Sequence, residues 1–304
     1  MKKDFLSVRD LSREGILEVF KLASDMKAYP EKYSSALRGK TLAMIFEKPS
    51  LRTRVTFDVG IQQLGGYSVP LLPMEISLGK RESVYDVAKN LERMVQGIMI
   101  RTFAHRIVLD LAEHASIPVI NALSDYSHPC QAMADYFTVQ EAKGKLQGLK
   151  LCFVGDGNNV AHSLLFGGAR LGVNVTIACP AGFEPKPEAL RQALDDAKAT
   201  GAKIEVVRDP VQGVKNADVV YTDVWASMGQ ESEAEARKLT FRPYQVNEAL
   251  MANAKSDAVF MHCLPAHRGD EVTDEVIDAP SSVVFQEAEN RLHTQKALMY
   301  QLMK

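Results

Sequence analysis

Strand-like and helix-like segments alternate along almost the whole chain, and this alternation constrains the fold more than any other feature. Short apolar runs such as "KTLAMIFEK" and "KLCFVGD" match buried strands, whereas apolar residues recur at helical spacing in "SREGILEVFKLASDMKAY" and "VTFDVGIQQLGG". Strands that alternate with helices form βαβ units, which build parallel sheets covered by helices. The sequence therefore predicts an α/β protein.

A second series of strands begins near residue 140, after the polar, glycine-containing segment "KGKLQG". The 304 residues are also enough for two domains of ordinary size, each with its own core. We therefore predict two domains, residues 1–140 and 141–304, each a mainly parallel sheet flanked by helices. The last helix, at about residues 286–304, is predicted to pack back on the first domain.

The charge balance excludes several classes of partner. The chain has 36 Lys and Arg against 38 Asp and Glu, so its net charge of -2 creates no global field toward nucleic acid or an anionic membrane. The first residues lack the apolar core of a secretory signal. The four cysteines form no CxxC pair, which argues against a zinc ribbon and a disulfide framework. We predict a cytoplasmic protein without nucleic-acid or membrane partners.

The stretch "EKPSLRTRVTF" is the first candidate site. A strand pattern ends near Phe46, a proline follows, and Ser50 then precedes a helical pattern as an N-cap. A helix N-terminus attracts phosphate, and Arg52 and Thr53 add a guanidinium group and a hydroxyl group. The alternative is a capped helix that carries solvated arginines. Because no GxxxxGK[ST] motif is present, ATP is not the predicted ligand.

The stretch "HPCQ" is the second candidate site. His128 and Gln131 are about one helical turn apart, so both side chains can face one small polar ligand. A neutral imidazole that donates a hydrogen bond to a carbonyl group is one interpretation, and a loop histidine that satisfies backbone groups is the other. No second pair of metal ligands accompanies His128, so no metal site is predicted.

Three further motifs, "GDGNN", "DVWASMGQE" and "HCLPAHRG", each follow an apolar strand. Open α/β sheets bind ligands at these carboxyl ends of strands. Val160 stands where a dinucleotide-binding motif has its third small residue, so the motif does not favour NAD, and Asn158 and Asn159 fit a polar substrate instead. Asp223 fits a substrate ammonium group. Cys263 is either a thiol in the site or a core residue.

Taken in order, "SLRTR", "HPCQ", "GDGNN", "DVWASMGQE" and "HCLPAHRG" resemble the motifs of the aspartate/ornithine carbamoyltransferase family, and "SMG" and "HCLPAH" resemble its ornithine branch. The resemblance extends over essentially the whole chain, to "AENRLHTQKAL". It implies carbamoyl transfer from carbamoyl phosphate to the δ-amine of L-ornithine, giving L-citrulline and phosphate, in arginine biosynthesis or catabolism. It also implies a carbamoyl phosphate domain followed by an ornithine domain, a site in the cleft, a homotrimer whose neighbouring subunit helps to complete that site, and no cofactor.

The resemblance also implies roles for individual residues. The expected carbamoyl phosphate contacts are Ser50, Leu51, Arg52, Thr53, Arg101, His128, Gln131, Cys263, Leu264 and Arg291. The expected ornithine contacts are Asn159, Asp223, Ser227 and Met228. The residues expected to act in catalysis are Arg101, His128, Asp223 and Cys263.

Two positions depart from the family pattern. Leu51 replaces a hydroxyl residue of the usual STRT motif, so phosphate affinity is expected to be slightly lower. Ser77 stands where many relatives carry a glutamine that reaches across the subunit interface, so that contact is expected to differ.

Three other functions are compatible with parts of the sequence. They are a sister enzyme that acts on putrescine or an N-acylated ornithine, a noncatalytic protein that binds carbamoyl phosphate or an amino acid, and an NAD-dependent dehydrogenase. The intact "DVWASMGQE" favours ornithine as acceptor, and the four catalytic candidates together favour an enzyme over a binding protein.

Overall fold

The computed structural model describes residues 3–76, 78–79, 81–229 and 231–304, so Ser77 lies outside the described residues. The chain divides into two compact units. The first unit consists of Met1–Ala134 together with Glu289–Lys304, and the second unit is Asp135–Ala288.

The first unit contains a four-stranded parallel sheet. Its strands are β1 (Thr41–Phe46), β2 (Tyr67–Leu71), β3 (Gly97–Arg101) and β4 (Val119–Leu123), in spatial order β2-β1-β3-β4. Its helices are α1 (Arg13–Ala28), α2 (Leu51–Gln63), α3 (Pro73–Ile76), α4 (Val84–Leu91) and α5 (His105–His114), with 3-10 helices at Val8–Asp10 and Pro30–Tyr33. Strands β3 and β4 are buried throughout, as expected of parallel strands covered on both faces. Edge strand β2 is more exposed and contains Pro70, which an edge strand tolerates.

The second unit contains a five-stranded parallel sheet. Its strands are β5 (Lys150–Val154), β6 (Asn174–Ala178), β7 (Ile204–Val207), β8 (Val219–Thr222) and β9 (Val259–His262), in spatial order β7-β6-β5-β8-β9. Helix α6 (Pro129–Lys143) begins in the first unit and ends in the second. The helices that follow are α7 (Asn159–Leu171), α8 (Pro187–Ala197), α9 (Pro210–Val214), α10 (Ala234–Phe241), α11 (Glu248–Met251), α12 (Asp274–Ile277) and α13 (Val284–Met303), with 3-10 helices at Glu231–Glu233 and Arg242–Tyr244.

The C-terminal part of α13 packs within the first unit. A Cβ atom at Gly60 of α2 would lie only 2.9 Å from the Met299 side chain, so the missing side chain of Gly60 permits this close approach of the two helices. The predicted fold class is therefore confirmed: two parallel sheets flanked by helices, with a last helix that packs back on the first unit.

Each sheet has one point at which its strand order reverses. In the first unit the chain moves outward in opposite directions from the adjacent strands β1 and β3, and in the second unit it does so from β5 and β8. Ligands of open α/β sheets bind at such switch points, outside the carboxyl ends of the strands. The loops after these four strands are therefore the candidate positions of a ligand-binding site.

Among the helices of the described ranges, none combines the length and the apolar character that crossing a membrane requires.

Candidate active site

The first unit places the N-terminus of α2 directly after β1, at the switch point of its sheet. The Ser50 side chain accepts a hydrogen bond from the Thr53 backbone N–H at 3.2 Å, which confirms the predicted N-cap. The first N–H groups of a helix lack partners within it and carry the positive end of its dipole. The structure therefore presents a place for an anion where the sequence predicted one.

Two buried arginines converge on Thr53. Its hydroxyl oxygen accepts hydrogen bonds from Arg291 Nη2 at 3.0 Å and from Arg101 Nη1 at 3.4 Å. Arg101 ends strand β3, where it pairs in register with Phe46 of β1, and Arg291 lies on α13. Two guanidinium groups on one hydroxyl concentrate positive charge beside the helix N-terminus, as recognition of a phosphate requires.

Gln131 and His128 complete this first cluster. Gln131 Oε1 accepts a hydrogen bond from Arg291 Nη1 at 3.1 Å, so α6 and α13 contribute to the same group of residues. The pKa of His128 is well below its usual range, because the imidazole is buried and because Arg291, Arg101 and Arg52 add positive charge nearby. The ring is therefore neutral at neutral pH and has one N–H to donate.

Leu51 contributes only its backbone to the start of α2. Its side chain is 74% exposed, in agreement with a first-turn position on the outer face of the helix. The expected decrease in phosphate affinity caused by Leu51 stays a prediction.

The second unit builds its own cluster around Asp223, which follows strand β8. Asp223 Oδ2 accepts a hydrogen bond from Asn158 Nδ2 at 2.8 Å, and Oδ1 accepts one from the Cys263 thiol at 3.1 Å. The Val224 backbone N–H also donates to Oδ1, at 2.8 Å. Both oxygens of the Asp223 carboxyl group therefore serve as hydrogen-bond acceptors.

Cys263 carries a neutral thiol. Burial raises its pKa well above the usual range, and the negative charge of Asp223 raises it further. The neutral thiol donates a hydrogen bond to Asp223 Oδ1.

Asn158, which the sequence predicts to fit a polar substrate, forms its side-chain hydrogen bonds with other groups of the protein. Its side-chain oxygen caps α7 by accepting from the backbone N–H groups of Val160 and Ala161, while its nitrogen holds Asp223. Asn158 could have been recognised as a cap because an Asn directly preceded a helical pattern. Asn159 is the first residue of α7, next to this cap.

The remaining candidates lie in the two loops after β8 and β9. Met228 is exposed, and Ser227 is partly buried, in the segment that follows Trp225. Leu264 adopts a φ of 56°, a conformation that residues other than glycine rarely adopt and that often occurs at functional sites. Its backbone N–H donates to His262 Nδ1 at 2.8 Å.

A cation could be held by Asp223, His262 and Cys263, whose ligand atoms lie within 4.8 Å of one another. Both imidazole nitrogens of His262 are nevertheless engaged. Nδ1 accepts from the Leu264 N–H, so Nε2 carries the ring proton and faces buried Glu271 at 3.2 Å. These residues therefore fit a hydrogen-bonded network better than a metal centre.

Comparison with known proteins assigns a family to each part of the chain. The model described as aspartate/ornithine carbamoyltransferase, carbamoyl-P binding domain, matches residues 3–141, and the one described as the Asp/Orn binding domain matches residues 147–302.

Individual relatives match over nearly the full length. An ornithine carbamoyltransferase of Thermococcus kodakarensis is 56% identical over 98% of this chain and 95% of its own. The solved structure of ornithine carbamoyltransferase from Pyrococcus furiosus is 51% identical, with a TM-score of 0.96 over 99% of this chain and 96% of its own. An acetylornithine transcarbamylase solved with acetylcitrulline is more distant, at 31% identity and a TM-score of 0.90 over 100% of both chains.

Proposed function

The chain belongs to the aspartate/ornithine carbamoyltransferase family, and on that premise we propose a division of labour between its two units. The reaction transfers the carbamoyl group of carbamoyl phosphate to the δ-amine of L-ornithine and yields L-citrulline and phosphate. In our proposal the first unit binds carbamoyl phosphate and the second binds ornithine. Residues 1–140 and 141–304 remain the proposed limits of the two sequence domains.

The arrangement of Arg101, Arg291 and Thr53 beside the N-terminus of α2 is the observation that carries the proposal. Carbamoyl phosphate has a phosphate group, and a helix N-terminus with two guanidinium groups is suited to bind one. Ser50, Leu51 and Arg52 would add backbone and side-chain donors from the same turn. His128 and Gln131 would contact the carbamoyl group from the start of α6.

The choice of ornithine over aspartate rests on the charge of Asp223. A carboxylate attracts the ammonium groups of ornithine, whereas it repels the second carboxylate of aspartate. Asn159, Ser227 and Met228 would surround the amino acid substrate. Asn158 and the Cys263 thiol keep Asp223 in position for this task.

The chemistry requires a neutral amine at the carbonyl carbon. An alkylammonium group like that of lysine has a pKa of about 10.4, so roughly one molecule in a thousand is nucleophilic at neutral pH. We assign to Asp223 the selection and orientation of the amine, and to Cys263 the orientation of Asp223. The neutral amine attacks the carbonyl carbon, the C–O bond to phosphate breaks, and the departing phosphate takes up the proton that the nitrogen loses.

Charge that develops on the carbonyl oxygen needs hydrogen-bond donors. Arg101, Thr53 and the neutral His128 can supply them, and donors of this kind are worth about 3–4 kcal/mol each in acyl-transfer enzymes. The leaving phosphate gains negative charge, which Arg52, Arg101 and the α2 dipole would stabilise. Each step uses groups of the protein and the two substrates.

We also propose that the chain forms a homotrimer in the cytoplasm, with active sites near the subunit interfaces. On α2, the side chains of Leu51, Val55 and Val59 recur every four residues and are 74%, 48% and 36% exposed. Exposed apolar stripes of this kind mark interaction surfaces. The four cysteines are free thiols, in accordance with a reducing compartment.

Analytical ultracentrifugation tests the assembly. The trimer proposal expects a species of three chains, and Val55→Lys on the stripe is expected to shift it toward smaller species. Leu239→Lys, at another exposed leucine, is the matched control and should leave the mass unchanged. A monomeric wild type, or equal effects of the two variants, would contradict the proposal.

An acceptor panel tests the activity. Purified protein and carbamoyl phosphate are mixed with L-ornithine, N-acetylornithine, putrescine or L-aspartate, and both products are quantified. We expect one citrulline per phosphate released with ornithine and negligible turnover with the others. Turnover with N-acetylornithine or putrescine instead would overturn the role given to Asp223. Binding of carbamoyl phosphate without turnover would favour the noncatalytic alternative.

A further inference from the structure

A second group of polar side chains lies buried in the second unit and contacts the strands that lead to Asp223 and Cys263. We call it the Glu287 cluster, and it consists of Asp135, Tyr221, Glu287 and the backbone N–H of His262. The Tyr221 hydroxyl donates to Glu287 Oε1 at 3.1 Å, and the His262 N–H donates to Oε2 at 3.0 Å. Asp135 forms a side-chain hydrogen bond with the same carboxyl group.

All four residues are fully buried, so none of these hydrogen bonds is replaced by water. A buried carboxylate without sufficient donors is unstable, and burial accordingly raises the pKa of Glu287, while the hydrogen bonds from Asp135, His262 and Tyr221 oppose this rise. The cluster therefore depends on having every donor in place.

The hydrogen-bond donors around Glu287 indicate whether Asp135 or Glu287 carries the proton of the hydrogen bond between these two carboxyl groups. A backbone N–H can only donate, and burial raises the pKa of Tyr221 well above its usual range, so its hydroxyl stays protonated. Both Glu287 oxygens thus receive a hydrogen bond, which fits a carboxylate. Two carboxyl groups share a hydrogen bond through a proton. Because both Glu287 oxygens already accept, the arrangement favours Asp135 as the residue that carries this proton and donates it to Glu287.

The cluster connects the two strands that carry the amine chemistry. Tyr221 lies on β8 two residues before Asp223, and His262 ends β9 immediately before Cys263. The strands are neighbours, with Thr222 opposite His262. One carboxylate, in the first turn of α13, therefore holds both strands at their carboxyl ends.

We propose that Glu287 is a positioning residue for the amine half of the reaction and that protonated Asp135 holds Glu287 in place. The ionised Glu287 fixes the ends of β8 and β9, so the Cys263 thiol stays 3.1 Å from Asp223 Oδ1. This inference rests on the proposed function, because it assigns a purpose to the Asp223 and Cys263 contact. Glu287 and Asp135 are thereby added to the residues that the reaction requires, and both act through other residues and not by contact with the substrate.

Glu287→Gln is the direct test. A glutamine has one acceptor oxygen, so its NH₂ group faces either the His262 N–H, with which it cannot form a hydrogen bond, or the Tyr221 hydroxyl, which must then accept where it donates in the wild type. In either case the hydrogen bond to one of the two strands is lost or reversed. We expect kcat/KM for ornithine to fall roughly 10- to 100-fold, the range caused by small misplacements of catalytic groups. The affinity for carbamoyl phosphate, measured without ornithine, should stay unchanged.

Two further variants make the test specific. Asp135→Asn keeps an N–H donor toward Glu287 and should retain most of the kcat/KM for ornithine, whereas Asp135→Leu removes the donor and should behave like Glu287→Gln. Glu141→Gln is the matched control, since Glu141 is an exposed carboxylate on α6 that accepts from Gln286. Thermal unfolding of each variant shows whether it folds.

Infrared spectroscopy locates the proton independently of activity. Protein labelled with carbon-13 in its aspartate side-chain carboxyls should show a shifted carbonyl band of a protonated acid, and Asp135→Asn should remove that band. A protonated-acid band that is insensitive to aspartate labelling would place the proton on Glu287 and overturn the assignment. The infrared result stands even if the wild type forms no citrulline, in which case the proposed function fails instead.

Kinetic results can also overturn the inference. Unchanged kcat/KM for ornithine in folded Glu287→Gln would exclude a positioning role. Equal losses of ornithine turnover and carbamoyl phosphate affinity would show general structural damage. An Asp135→Asn variant as impaired as Asp135→Leu would contradict the donor role of Asp135.

Discussion

Replacing Thr53 by valine removes one hydroxyl group and almost no volume, so its effects can be predicted from hydrogen bonds alone. The hydroxyl oxygen accepts from Arg291 Nη2 at 3.0 Å and from Arg101 Nη1 at 3.4 Å. The longer contact lies outside the usual range for an N–H···O bond, so we count only the shorter one. A hydrogen bond from a charged donor contributes about 1.5–3 kcal/mol.

Thr53→Val is therefore expected to lower the free energy of unfolding of the first unit by about 1.5–3 kcal/mol. For a domain of this size, each kcal/mol lowers Tm by about 2–4 °C, so calorimetry should show a decrease of roughly 3–12 °C. If Thr53 also donates to the phosphate, the variant loses a second charge-assisted bond. The Kd for a stable phosphonate analogue of carbamoyl phosphate should then rise roughly 10- to 150-fold.

Two control variants test whether the loss of affinity is specific to the Thr53 hydroxyl group. Thr53→Ser keeps the hydroxyl group and should restore most of the affinity. Thr240→Val, on α10 of the second unit, removes a neutral hydrogen bond to the Ala236 carbonyl at 3.1 Å, so it should cost at most about 1 kcal/mol of stability and leave the Kd unchanged. Wild-type affinity in Thr53→Val, or an equal loss of affinity in Thr240→Val, would refute the reasoning.

The other predictions concern the charge states of three residues. Asp223→Asn removes the buried carboxylate, so kcat/KM for ornithine should fall by roughly 30-fold or more in steady-state assays, whereas affinity for carbamoyl phosphate should not change. Burial raises the pKa of Cys263, so iodoacetamide at about pH 8 should alkylate Cys263 more slowly than free cysteine, whose pKa is about 8.5. Peptide mass spectrometry measures the rate of alkylation, and equal rates would refute the neutral thiol. Because burial lowers the pKa of His128, the unfolded chain takes up a proton near pH 6.5 before the folded chain does. The free energy of unfolding should therefore fall as the pH drops below about 6.5, and His128→Gln should reduce this slope in urea titrations; an unchanged slope would contradict the assignment.

The fold and the phosphate half of the site follow closely from local sequence patterns. Strand β1 is an uninterrupted apolar run, and the proline and serine after it mark the start of α2. A proline and an N-cap residue affect only the backbone within a few residues of their own position, so a local sequence pattern is enough to recognise them. The Ser50 cap was predictable for that reason. Parallel topology then brings the carboxyl ends of neighbouring strands to one edge of each sheet.

Contacts between distant residues could not be predicted in this way. Arg291 reaches Thr53 across 238 residues of sequence, and no local pattern specifies such a distance. Family resemblance supplied Arg291 as a carbamoyl phosphate contact, but not its hydrogen bonds to Thr53 and Gln131.

Buried polar networks were equally hidden from the sequence. Glu287 and Asp135 sit in helical patterns where a carboxylate usually faces solvent, and only the structure shows them buried together.

A crystal structure with L-ornithine and a phosphonate analogue of carbamoyl phosphate, in which a carbon atom replaces the oxygen that leaves with phosphate, tests the division of labour most directly. We expect the phosphonate oxygens to lie within hydrogen-bonding distance of the α2 N-terminus, Thr53 and Arg101. We also expect the amino acid to lie beside Asn159 and Asp223. A phosphonate group bound in the second unit, or an amino acid bound away from Asp223, would contradict it.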